Sequence, residues 1–102
     1  MYNNFSYLTS EQLEAIDLRG FDFNINNKIK LADGSEVLGI KLFFSAVMHD
    51  NIAMLEKFSK NTDSPISTTT WSRAALQATL SNAAKSLAYL RTGARAFIGK
   101  IL

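Results

Sequence analysis

After Asp63 the chain carries no acidic residue, and its last third repeats apolar residues every three or four positions. Leu76, Leu80, Ala83, Leu87, Leu90, Ala94, Phe97 and Ile101 form this repeat. Such spacing places side chains along one stripe of a helix. The alternating steps of four and three describe a narrow seam, whereas a core helix usually presents a wider apolar face. The pattern predicts one long helix from about Trp71 to the end of the sequence, capped by Thr69 or Thr70. Gly93 either stops that helix or only weakens it. A seam of this kind asks for another helix, and Ala83 and Ala94 leave room for one to approach closely.

The charge on the same stretch narrows the choice of partner. Arg73, Lys85, Arg91, Arg95 and Lys100 give residues 64–102 a net charge of +5. Residues 1–63 hold six cations against nine acids, a net −3. A basic helix is solvated, pairs with the acidic half of its own chain, or meets an acidic partner. Arg91 and Arg95 lie one turn apart and share a face, and arginine suits carboxylate or phosphate recognition. Nucleic acid is therefore the alternative partner, with Arg73, Lys85, Arg91, Arg95 and Lys100 as its phosphate-binding set. That set is sparser than the basic patch of a dedicated nucleic-acid binder, and aromatic residues do not alternate with the cations.

Composition excludes several other classes. The 102 residues suit one domain, and 47% apolar with 20% charged residues is a globular balance. With no cysteine there are no disulfides, thiolate nucleophiles or thiolate metal sites. The first twenty residues show no basic leader followed by an apolar run, and no stretch is apolar enough to span a bilayer. A cytoplasmic location is expected. Residues 61–70 hold the sole proline, Pro65, among serines and threonines, and read as an internal linker.

Earlier segments give local signals. Thr9 and Gln12 match a capping box, and Leu8 with Leu13 matches a hydrophobic staple. They open a short helix at about 10–19, stopped by Gly20, with Leu13, Ile16 and Leu18 inward. Phe21, Phe23 and Ile25, then Ile29 and Leu31, alternate with period two and predict a β-hairpin. Its loop is Asn26-Asn27-Lys28, because only three residues keep the apolar set on one face. After the Asp33-Gly34 turn, either a helix opens on an Asp33–Glu36 capping box or Val37 to Ile40 forms a third strand. Phe44, Val47, Asn51, Met54 and Phe58 then repeat at helical spacing, predicting one central helix with Asn51 in its apolar stripe. The expected core is Leu13, Ile16, Phe23, Ile25, Phe44, Val47, Met48, Ile52, Leu55, Leu76, Leu80, Leu87 and Leu90.

Ala46-Val47-Met48-His49-Asp50-Asn51-Ile52-Ala53-Met54-Leu55-Glu56, with Asp33-Gly34 before it, resembles the helix-pair core of an ankyrin repeat. The resemblance covers about a quarter of the chain. No Thr-Pro-Leu-His run follows the Asp-Gly, and no second copy or other internal repeat is visible, although stacked repeats need neighbours. The fold expectation is accordingly not built on repeats.

Catalytic residues do not assemble in the sequence. His49 is the only histidine, and Asp50 beside it points about 100° away on a helix, so the two do not form an acid–base pair. One histidine without cysteine does not make a typical zinc site. Glu11, Glu14, Asp17 and Asp22 mark a helix start and a turn. No glycine-rich phosphate loop is present. The expectation is a mostly helical α+β domain over residues 1–102, with a short N-terminal helix, a hairpin of two or three strands and two longer C-terminal helices. It would be a small non-enzymatic interaction module without cofactor or metal, an adaptor, inhibitor or immunity-type protein. It would dock or self-associate through Leu87, Leu90, Arg91, Ala94, Arg95, Phe97, Ile101 and Leu102.

Overall fold

A computed structural model describes residues 7–19, 23–31, 33–61 and 66–101, with side chains as far as Thr92. Gly20, Phe21, Asp22 and Pro65, used in the sequence reading, lie outside the described residues. The fold is α+β and mostly helical. Its elements run α1 (Ser10–Glu14), β1 (Lys28–Lys30), β2 (Glu36–Leu38), α2 (Gly39–Met48), α3 (Ile52–Ser59), α4 (Thr68–Leu80) and α5 (Ala84–Ile101).

The capping box forms as its residues dictate. Gln12 N–H donates to Thr9 Oγ1 at 3.1 Å, and Thr9 N–H donates to Gln12 Oε1 at 2.9 Å. The helix it opens is shorter than expected and ends at Ala15. Asp17 ends any continuation, because its carboxylate accepts Arg19 N–H at 2.9 Å and turns the backbone locally.

The hairpin is one strand later than its expected place. β1 pairs antiparallel with β2, with Ile29 opposite Val37 and Lys30 opposite Glu36. Of the expected third strand, Val37 and Leu38 are extended within β2, but Gly39 and Ile40 already belong to α2, and among the described residues the sheet has two strands. The connection is Leu31–Ser35, with Gly34 at φ 90°. Asp33 Oδ1 takes the Ser35 hydroxyl at 2.6 Å and the Ser35 N–H at 2.9 Å, and these bonds hold its carboxyl below the usual range. Asn26 and Asn27 do not form the hairpin loop. Asn24 Oδ1 accepts Asn26 N–H and Asn24 C=O accepts Asn27 N–H, closing a turn. Phe23 and Ile25 are still buried. Gly39 passes so close to this turn that a Cβ would collide with the Asn24 carbonyl oxygen, and its N–H donates to Asn27 C=O at 2.7 Å.

Both long helices expected from periodicity are broken into pairs. The 44–58 helix divides at His49-Asp50-Asn51, where Asp50 has φ 55° and Asn51 caps α3 by accepting Met54 N–H. Asn51 is thus a cap and not a polar member of a core stripe. The C-terminal helix divides at Ser81-Asn82-Ala83, where Asn82 also has φ 55°. Ser67, not Thr69 or Thr70, caps α4. Gly93 does not stop α5, which continues to Ile101.

The two corners are geometric twins. Asn51 N–H donates to Ala46 C=O at 3.0 Å, and Ala83 N–H to Ala78 C=O at 2.8 Å. Asp50 N–H reaches Val47 C=O, and Asn82 N–H reaches Thr79 C=O. These are the two bonds of a Schellman turn at a left-handed residue. Equivalent residues are offset by 32 positions, as from 46 to 78. α4 packs on α2 and α5 on α3, so one helix pair lies against the other. The two helix pairs thus share one corner geometry, although the side chains do not advertise it.

One apolar cluster joins every element. Leu13, Ile29, Leu42, Phe43, Val47, Met54, Leu55, Phe58, Trp71, Ala74, Ala78 and Leu90 are buried in it. Phe43 lies edge-on to both Phe58 and Trp71. Ile66, in the expected linker, is buried, and Thr68 to Thr70 already belong to α4. Phe44, Met48, Ile52 and Leu87 are half-buried and not core centres. Leu76 and Leu80 depart furthest from expectation, at 60% and 72% exposed.

Candidate docking surface

The exposure of Leu76 and Leu80 follows from how α4 is used. Trp71, Ala74 and Ala78 follow one another at i, i+3 and i+7 and are buried against the core. The small alanines let α4 approach its neighbours closely. Arg73, Leu76 and Leu80 have the same spacing on the opposite side of the helix, and all three are exposed. α4 therefore carries two apolar stripes, one spent on its own chain and one open. In the open stripe Leu76 and Leu80, larger than Ala74 and Ala78, dominate the apolar spacing. The alternation of Trp71, Ala74 and Ala78 was the signal for the other.

The remaining cations and predicted contact residues are split by burial. Lys85 and Arg91 are exposed on α5, and neither α4 nor α5 contains an acid. Leu90 is 1% exposed, so it belongs to the core and is not available for docking. Leu87 is half-buried against the same cluster. Ala94, Arg95, Phe97, Lys100 and Ile101 lie on α5 where no side chain is described, and Leu102 lies outside the described residues. A third exposed apolar residue, Leu38, is at the end of β2.

A second depression brings polar residues together. A shallow cleft of about 330 Å³ is lined by Ser10, Glu14, His49, Asp50 and Asn51, among others. Its histidine and aspartate are already engaged with the main chain. His49 Nε2 bonds Leu8 C=O at 2.9 Å; a carbonyl only accepts, so this nitrogen carries the proton. Ser45 Oγ accepts Leu8 N–H at 3.0 Å. Two side chains one turn apart on the α2 region thus hold both backbone groups of Leu8. Asp50 Oδ1 accepts Ser86 N–H at 2.7 Å, and Ser86 Oγ donates to Val47 C=O at 2.7 Å. Ala83 at the start of α5 has no capping side chain, and Asp50 supplies that cap from 36 residues away. His49 and Asp50 therefore act as clasps between segments.

No protein family, curated protein or solved structure matches the chain. The docking surface accordingly rests on its own geometry. Among the described residues no helix is long and apolar enough to cross a membrane.

Proposed function

We propose that the protein is a small non-enzymatic interaction module of the cytoplasm that binds an acidic protein partner through the α4–α5 pair. The observation that carries this reading is the open Leu76–Leu80 pair on α4, with Arg73 one turn before Leu76 and no acid on either α4 or α5. Large apolar side chains standing one turn apart in water are what a docking site presents before its partner arrives. Arg73 beside them, with Lys85 and Arg91 exposed on α5, favours an acidic partner. The C-terminal basic helix expected from sequence keeps its place in this reading, with α4 supplying the apolar contact.

Self-association is disfavoured by the same charge. Two copies meeting through α4–α5 would bring like cations together with no acid on either face. Nucleic acid is the second reading, supported by the exposure of Arg73, Lys85 and Arg91. Two measurements separate these. Light scattering after gel filtration should give a monomer near 11.3 kDa, whereas a dimer would return the surface to a second copy. Binding to poly-glutamate and to a DNA duplex should then be compared as salt rises. Duplex binding should be weak and fall by orders of magnitude between about 50 and 200 mM salt, as for non-specific phosphate contact. Tight duplex binding at about 50 mM salt that falls steeply as salt rises would replace the protein partner with nucleic acid.

A further inference from the structure

The two corners share one hydrogen-bond pattern, so positions counted back from them along α2 and α4 correspond. With the 32-residue offset, Leu76 and Leu80 stand where Phe44 and Met48 stand in the first pair. Phe44 and Met48 are half-buried, and Phe44 packs on the core. Leu76 and Leu80 have the same helical positions but lie open. α4 is thus a helix with one side seated on its own chain by Trp71, Ala74 and Ala78, and the other side bare.

We infer that the Arg73–Leu76–Leu80 stripe of α4 seats an acidic amphipathic α-helix of the partner, laid along α4 as a further layer of helix. This inference rests on the proposed function and specifies the partner's form. A helix is the occupant because the stripe is linear and repeats at i, i+3 and i+7, the spacing that another helix's ridges fill. It is acidic because α4 and α5 offer cations alone: Arg73 lies in the stripe, and Lys85 and Arg91 are exposed on the neighbouring helix. A second copy of α4 would supply no acid to meet Arg73. The partner helix would place leucine-type residues over Leu76 and Leu80 and a glutamate or aspartate over Arg73, where a bidentate pair forms.

The probe is a stapled helix of 13 residues, the length of α4, with leucines at three- and four-residue spacing and glutamates elsewhere. Its binding to the full chain is followed by fluorescence anisotropy and by backbone amide shifts. The expected result is a Kd of about 10–100 µM, in keeping with a small interface, with shifts centred on residues 72–81. The Leu76→Glu, Leu80→Glu double variant should weaken binding about tenfold or more, and Arg73→Glu should also weaken it. Leu38→Glu, on β2, should leave it unchanged. Both leucines are exposed, so far-UV circular dichroism of the double variant should match that of the parent chain.

Unchanged affinity in the double variant overturns the inference. So does equal binding of a scrambled glutamate-rich peptide without helical spacing, although that result leaves an acidic partner in place. Failure of the stapled helix and of poly-glutamate alike removes both the inference and the function it rests on. A dimer of the chain alone that the double variant dissociates assigns the stripe to a second copy instead.

Discussion

At the α2–α3 corner the left-handed residue is Asp50, and at the α4–α5 corner it is Asn82, both with φ 55°. The main-chain hydrogen bonds around them are the same, but the side chains are not used alike. Asp50 reaches across the molecule and caps α5 through Ser86 N–H. Asn82 is exposed and its side chain has no hydrogen-bond partner among the described residues. The first corner is both a turn and a clasp, whereas the second is a turn only. The faces the pairs show differ in the same way. Among the described residues, Leu8 is held on the first pair by Ser45 and His49, and β2 and α4 pack on α2, whereas Leu76 and Leu80 of the second pair are exposed. A shared corner geometry does not imply a shared role, and it is the second pair that leaves large apolar residues exposed.

The strongest test of this comparison is in the core, where the two pairs are equal. Phe58 and Leu90 are equivalent positions and each is 1% exposed. Phe58→Ala should cost about 3–5 kcal/mol and Leu90→Ala about 2–5 kcal/mol, as for other large-to-small core changes. Urea unfolding followed by circular dichroism should show one transition in both variants. If Leu90→Ala costs under about 1 kcal/mol, α5 is not anchored in the shared core and the two pairs are not parts of one unit.

The next effect separates the corners. Asp50→Gly relieves the left-handed backbone but removes the α5 cap, leaving Ser86 N–H to find water. The net expectation is a loss of about 1 kcal/mol. Asn82→Gly relieves the same backbone conformation and removes nothing. It should be neutral or stabilising by up to about 1 kcal/mol. Opposite signs in unfolding midpoints support the clasp. A stabilising Asp50→Gly would show that its bond to Ser86 contributes little.

How much of this was written in the residues depends on the range of the interaction. The Thr9–Gln12 box, the buried Leu13, Ile29 being inward and the mostly helical α+β class all follow from local patterns, and each is present. The corners were missed because apolar spacing carries on through them: Val47, Met54 and Phe58 keep helical phase across Asp50, so periodicity saw one helix. Asp50-Asn51 and Ser81-Asn82 were the available signs, since Asp and Asn tolerate left-handed backbone and Asn caps helices. The hairpin moved because of a tertiary demand. Gly39 must pass against Asn24 and Ile25, which occupies the segment that alternation had made a strand. The Leu76–Leu80 stripe was legible as apolar residues but not as surface. That choice is made by which side of α4 meets Phe43, and Trp71 decides it.

The smallest effect bears on whether the stripe is truly open. Leu80 and Met48 are equivalent positions at the ends of α4 and α2, but Leu80 is 72% exposed and Met48 is half-buried. Replacing a side chain already in water removes little transfer free energy, so Leu80→Ser should change stability by no more than about 0.5 kcal/mol. Met48→Ser takes away partly buried surface and should cost about 1–2 kcal/mol. The same substitution at the same structural position would then read out the difference in cover directly. If the two costs are equal, Leu80 is covered in solution by its own chain or by a copy of it. The open side of α4, on which the acidic-helix proposal stands, would then be closed.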